Sequence, residues 1–173
     1  MKPSLAIKIM AVAALSCMLY ACIDDDIPTI KEEVVIGDRL PEFTVQMSDG
    51  SSITSSSLQN GVSLVSFFHT SCPDCRQALP ILQQIYDEYI VSGGRFAIIS
   101  REEQAPSITA YWESNGLTMP FSAQSNRTIY ELFAKSRIPR VYINKDGVIH
   151  YIFTDNPVPT YEELKSALDG LLR

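Results

Sequence analysis

Two cysteines, Cys72 and Cys75, stand where a strand pattern gives way to a helical one. Upstream, Val62 to Phe68 is an apolar, aromatic-rich run with the length and composition of a buried strand. The run breaks at His69-Thr70-Ser71, and Cys72-Pro73-Asp74-Cys75 follows. Beyond it, Ala78, Ile81, Leu82, Ile85, Tyr86 and Tyr89 recur at helical spacing. A cysteine at a helix N-terminus faces unpaired N–H groups and the positive end of the macrodipole, and both favour a thiolate. A second cysteine three residues on lies one turn away, within reach for a small disulfide ring. The pattern points to thiol–disulfide exchange, with Cys72 as the more exposed nucleophile and Cys75 as the resolving thiol. A structural disulfide or half of a zinc site would use the same spacing. Zinc needs a second ligand pair, however, and there is no other CxxC and no HxxxH; His69 and His150 are the only histidines. No metal and no cofactor are expected.

The other two cysteines belong to a different story. Lys2 and Lys8 precede an apolar stretch, Ile9 to Tyr20, too short to span a bilayer comfortably, so residues 1–21 read as a signal peptide. Leu19-Tyr20-Ala21-Cys22 resembles a bacterial lipobox, which would make Cys22 the site of lipid attachment. An ordinary secretory signal or a retained anchor is the alternative. Cleavage before Cys22 would remove Cys17 and the two lysines, leaving 152 residues with a net charge of −8 against −6 for the whole chain. Cys72 and Cys75 would then be the only thiols left to pair, in a compartment where disulfides persist. Residues 22–36, with Asp24-Asp25-Asp26 and Pro28, read as a lipid-anchored flexible linker. An acidic run after such a cysteine resembles a surface-export signal of some Gram-negative lipoproteins. The expected location is therefore the cell envelope of a Gram-negative bacterium, lipid-anchored and facing the periplasm or the outside. The acidic balance and the lack of a basic patch argue against nucleic acid.

Residues 37–173 suit one domain. Phe43–Met47 and Ser51–Ile53 flank an Asp49-Gly50 turn and read as a hairpin. A helical turn at Thr54–Leu58 precedes the Val62–Phe68 strand, and the Cys72–Val91 helix carries Pro80, which should bend it. Arg95–Ser100 is a buried strand parallel to the first. Ala105 to about Ser114 is a helix, Met119–Ala123 a short strand, and Asn126 caps a helix with Ile129, Tyr130, Leu132 and Phe133 on its apolar side. A strand starting at Arg137 turns at Asn144–Gly147 and returns as Val148–Phe153. Thr160 and Glu163 form a capping box for a last helix that turns Tyr161, Leu164, Leu168, Leu171 and Leu172 to the core.

From about Gly37 to the C-terminus the chain resembles the thioredoxin superfamily. Within it, the likeness is to membrane-tethered thiol–disulfide oxidoreductases and the peroxiredoxin-like redoxin branch. The residues that carry it are Cys72-Pro73-Asp74-Cys75, the Gly37–Phe43 opening segment, Pro80, the extra strand and helix within Ala105–Ser136, and Pro139. The resemblance implies an α/β three-layer sandwich: a central mixed sheet flanked by helices, with an N-terminal β-hairpin and an inserted strand–helix. It also implies a cis-proline at Pro139, opposite the cysteines, with Ile138 presenting backbone groups to a substrate strand. Partners would be exported proteins bearing disulfides or thiols, with electrons from a membrane thiol relay.

Departures from the family pattern matter as well. Pro73 and Asp74 lie between the cysteines and should tune the redox potential; Asp74 stands where many members have proline, and its charge should oppose a thiolate and make the pair less oxidising. Ser66 replaces the buried acid that serves thioredoxin as proton acceptor, leaving water, Asp74 or His69 for proton transfer. Ser71 stands where several relatives have Trp, so a less apolar groove is expected. A thiol peroxidase is the enzymatic alternative, but peroxiredoxins place Thr three residues before the reactive cysteine, where this chain has His69. A non-catalytic peptide-binding module with a permanent Cys72–Cys75 disulfide is the alternative of another class.

Overall fold

The computed structural model describes residues 33–173. The expected signal peptide, Cys17, Cys22 and most of the expected linker lie outside the described residues. The order is β1 (Thr44–Gln46), β2 (Ser52–Thr54), a 3₁₀ turn (Ser55–Leu58), β3 (Val62–Phe68), α1 (Pro73–Ile90) and β4 (Arg95–Ser100). There follow α2 (Ala105–Asn115), α3 (Thr128–Glu131), β5 (Arg140–Lys145), β6 (Val148–Phe153) and α4 (Tyr161–Leu172). β1 and β2 pair as an antiparallel hairpin. The main sheet runs β4-β3-β5-β6, with β3 and β4 parallel and the other pairs antiparallel. This is the mixed sheet flanked by helices that the sequence led us to expect.

Every residue of β3 is buried, as a central strand covered on both faces must be. Successive side chains point to opposite faces. Phe67 meets Tyr130, Phe133 and Tyr142, whereas Phe68 meets Trp112 of α2. Tyr86 of α1 meets Phe96, which the β3–β4 register puts on the Phe68 side. α4 docks on α1, where the Tyr89 hydroxyl donates to Asp169 and Glu88 takes bonds from Tyr161 and Lys165. α1 buries Ala78, Leu79, Leu82, Ile85 and Tyr89, each large side chain contributing about 1.5–3 kcal/mol of hydrophobic stabilisation. Pro80 sits on the exposed face inside α1, which runs on past it.

Several local expectations are corrected. Met119–Ala123 is not a strand: Ser122 alone bridges β4, giving its N–H to Ile98 and accepting from Ser100 N–H. Pro120 has no N–H to extend a ladder, and Phe121 instead accepts from Ser48 N–H of the hairpin loop. α3 is a single turn; Asn126 does accept from Thr128 N–H at 2.9 Å, but Leu132 faces solvent. β5 starts at Arg140 rather than Arg137, because Arg137 is left-handed (φ 70°) and Pro139 cannot donate. The hairpin turn is Asp146-Gly147, both left-handed as a tight mirror-type turn requires, and Asn144 is a buried β5 residue. α4 has its capping box, but Leu172 at the frayed end is exposed. Ordered packing also begins ahead of Gly37: Val34 is buried and its N–H reaches Phe133 O at 2.8 Å.

Candidate redox site

The sheet delivers the chain to the site from two directions. β3 and β4 are parallel, so their C-terminal ends open on one side, the usual place for a site in such a sheet. β5 is antiparallel to β3 and begins there, with Arg140 opposite Phe67. After Phe68 the chain turns through His69-Thr70-Ser71, and Cys72 N–H closes on His69 O at 3.0 Å. Cys72 is the N-cap of α1 and Pro73 occupies the first turn, where its missing N–H costs nothing. Asp74 is in the same turn, half-buried, where the helix N-terminus favours a carboxylate.

The two thiols are free and differ in setting. Cys72 is half-buried and its Sγ donates to Ile138 O at 3.5 Å. Cys75 is fully buried, and burial pushes its thiol far above the ordinary range. The adjacent Cys72 sulfur adds to this shift; the His69 backbone and the Arg101 charge oppose it but are outweighed. One sulfur is therefore partly open to solvent while the other is held back as a thiol.

The loop carrying Ile138 is built by contacts on each side of it. The Ile138–Pro139 bond is cis, and both residues are buried. The Tyr130 hydroxyl donates to Arg137 O at 2.7 Å, and Arg140 Nε donates to Ser136 O at 3.1 Å. Cys72, Cys75, Ile138 and Pro139 thus converge, with Pro73 and Asp74 between the cysteines.

Sequence reasoning missed Glu103. It is buried just beyond β4, its Oε2 accepts from Thr70 N–H at 2.8 Å, and its Oε1 takes the Thr70 hydroxyl. His69 Nδ1 lies 3.6 Å from Oε2 and accepts from Ser71 N–H at 3.1 Å. Arg76 Nε ties the other side of the loop to Thr70 O at 2.6 Å. Acidic residues following a strand parallel to β3 were the available signal, since such strand ends line sites. Ser66, in contrast, is fully buried with no hydrogen-bond partner for its hydroxyl among the described residues, and it offers no acid. Among the described residues the His69 ring makes no hydrogen bond to either sulfur; His150 is exposed on β6. No cluster of three or more His, Cys, Asp and Glu suited to a metal ion occurs among the described residues.

The redoxin family model matches residues 36–171. Thiol-disulfide oxidoreductase ResA of Bacillus thuringiensis (strain Al Hakam) is 24% identical over 145 residues, which cover 83% of this chain and 80% of the relative. A solution structure from Bacteroides thetaiotaomicron, provisionally described as a protein disulfide isomerase, matches with a TM-score of 0.71 and 25% identity, over 79% of this chain and 87% of that one. A thiol:disulfide interchange protein of the thioredoxin family from Chlorobium tepidum TLS matches with a TM-score of 0.68 and 21% identity, over 81% of this chain and 99% of that one. The fold is thioredoxin-like.

Proposed function

The chain belongs to the redoxin family, and we propose that it is an exported thiol–disulfide oxidoreductase that exchanges disulfides with other exported proteins. The observation that carries this reading is the asymmetry of the pair: Cys72 at the mouth against Ile138 O, Cys75 buried and protonated behind it. In the reducing direction, the Cys72 thiolate attacks one sulfur of a partner disulfide. The partner S–S bond breaks, and its other sulfur leaves as a thiolate that takes a proton. Cys75 then loses its proton and attacks the Cys72 sulfur, releasing the second partner thiol. The balance is one partner disulfide reduced to two thiols and one Cys72–Cys75 disulfide formed. A membrane thiol relay returns the two electrons, and no cofactor is needed.

In this reading Ile138 and Pro139 form the wall along which a partner strand lies, through backbone bonds. Pro73 and Asp74 tune the potential. The Cys75 proton leaves to water: His69 Nδ1 accepts from Ser71 N–H, so the neutral ring carries its own proton at Nε2 and has no free lone pair to take another. Lipid on Cys22 tethers the domain in the cell envelope. Among the described residues no helix is long and apolar enough to cross a membrane. The peroxidase alternative is less well supported: Thr70, the nearest threonine to the peroxiredoxin position, commits its hydroxyl to Glu103.

The test is trapping. Cys75→Ser should accumulate mixed disulfides through Cys72 in the native host, whereas the Cys72→Ser/Cys75→Ser double variant should not. Finding no trapped protein, together with no reduction of insulin disulfides by the wild type, would leave the non-catalytic module standing instead.

A further inference from the structure

Residues 22–36 read in sequence as linker, yet their last part is built into the site. Glu33 accepts from Arg140 Nη2 with both carboxylate oxygens, at 3.1 and 3.0 Å, and its Oε1 accepts from Lys135 N–H at 3.2 Å. Arg140 is 6% exposed, and its Nε and Nη2 donate to Ser136 O. Its Nη1 donates to the Tyr142 hydroxyl at 3.5 Å, and that hydroxyl reaches Phe133 O at 3.5 Å. Among the described residues Glu33 is the one carboxylate paired with this buried guanidinium. The bonds bracket 135–139, which contains the Ile138 carbonyl 3.5 Å from Cys72 Sγ.

We propose that Glu33 is a positioning residue of the redox site: it neutralises Arg140 and holds Lys135 N–H, and so fixes the 135–139 loop against which a disulfide-bearing partner lies. This rests on the oxidoreductase reading above. A buried cation that loses its counterion draws in water or swings outward. Arg140 would then release Ser136 O, leaving Tyr130 on Arg137 O and Arg127 Nη2 on Lys135 O to hold the loop. The fold itself is less exposed to the loss. Val34 N–H still reaches Phe133 O, and Val34 still packs in the core. Glu33 therefore acts on partner binding through Arg140, and not on the sulfur chemistry.

The experiment uses full-length wild type, Glu33→Gln and Glu33→Asp, with insulin as the disulfide substrate. Glu33→Gln should raise KM by about five- to tenfold, leave kcat within about twofold, and leave the rate of Cys72 alkylation by iodoacetamide unchanged. Amide exchange should speed up within 135–140 and nowhere else, and Glu33→Asp should restore much of both effects. Unchanged KM and unchanged local exchange in Glu33→Gln would overturn the proposal. So would a fall in kcat and alkylation rate that tracks lower global stability. A wild type with neither turnover nor a trapped partner would remove the oxidoreductase reading and this role together; an active wild type with an unaffected Glu33→Gln removes this role alone.

Discussion

Glu103 spends both carboxylate oxygens on one residue, Thr70, 33 positions earlier in the chain. The pair joins the end of β4 to the loop that delivers Cys72. A carboxylate this buried is stable only because its partners replace water. Glu103→Ala should cost about 2–3 kcal/mol, since it leaves the Thr70 N–H buried and unpaired. Denaturant unfolding checks the magnitude, and amide exchange at Thr70 and Ser71 checks the location. Glu103→Gln keeps an acceptor and should cost about half as much or less.

Cys75 makes stability depend on pH at the alkaline end. Its folded-state value is raised by burial, so below the ordinary thiol pKa, roughly 8.5, both states hold the proton and Cys75 has no pH leverage. Above that point the unfolded chain releases the proton and the folded one keeps it. Stability of the reduced protein should then fall by up to about 1.4 kcal/mol per pH unit relative to Cys75→Ala. Urea unfolding under reductant at pH 8, 9 and 10 measures the difference, in which other titrating groups cancel. Parallel pH curves for the two proteins would contradict the buried setting of this thiol.

Asp74 sits half-buried in the turn that carries both sulfurs. Neutralising it as Asp74→Asn should make the pair more oxidising, because a thiolate in the reduced form loses a repelling neighbour. The change should be modest, about 10–30 mV upward, since solvent screens a partly exposed charge. Equilibration with a glutathione redox buffer measures it; an unchanged potential would assign Asp74 to turn geometry alone.

Gly147 tests the β5–β6 hairpin. Its φ is +79°, and a Cβ there would meet Gln59 Cγ at 2.9 Å. Gly61 has a similar φ of +78° but open space around it. Gly147→Ala should cost about 1–2 kcal/mol from the backbone plus the Gln59 clash, and Gly61→Ala the backbone part alone. Thermal unfolding of the two variants separates the terms.

The cysteine pair, the strand before it and the helix after it were legible because each rests on neighbours in sequence. Seven residues, five of them apolar, make β3, Pro73 starts α1, and Thr160 with Glu163 caps α4. Met119–Ala123 misled because its composition suits a strand while Pro120 denies it a ladder. Leu172 misled because helical spacing names a face but not where the covering layer ends. Glu103 and Glu33 went unread for another reason. An acidic residue in a polar stretch looks solvated, and only its distant partner shows otherwise.

From sequence alone follow two thiols of unequal exposure at a strand–helix junction, since periodicity, proline and the helix dipole act over a few residues. What those thiols face was settled in three dimensions. Ile138 O comes to Cys72 Sγ across 66 positions, Glu103 to Thr70 across 33, and Glu33 to Arg140 across 107. Pairings at that range depend on strand order and burial, which bring together polar groups that must satisfy one another once water is excluded.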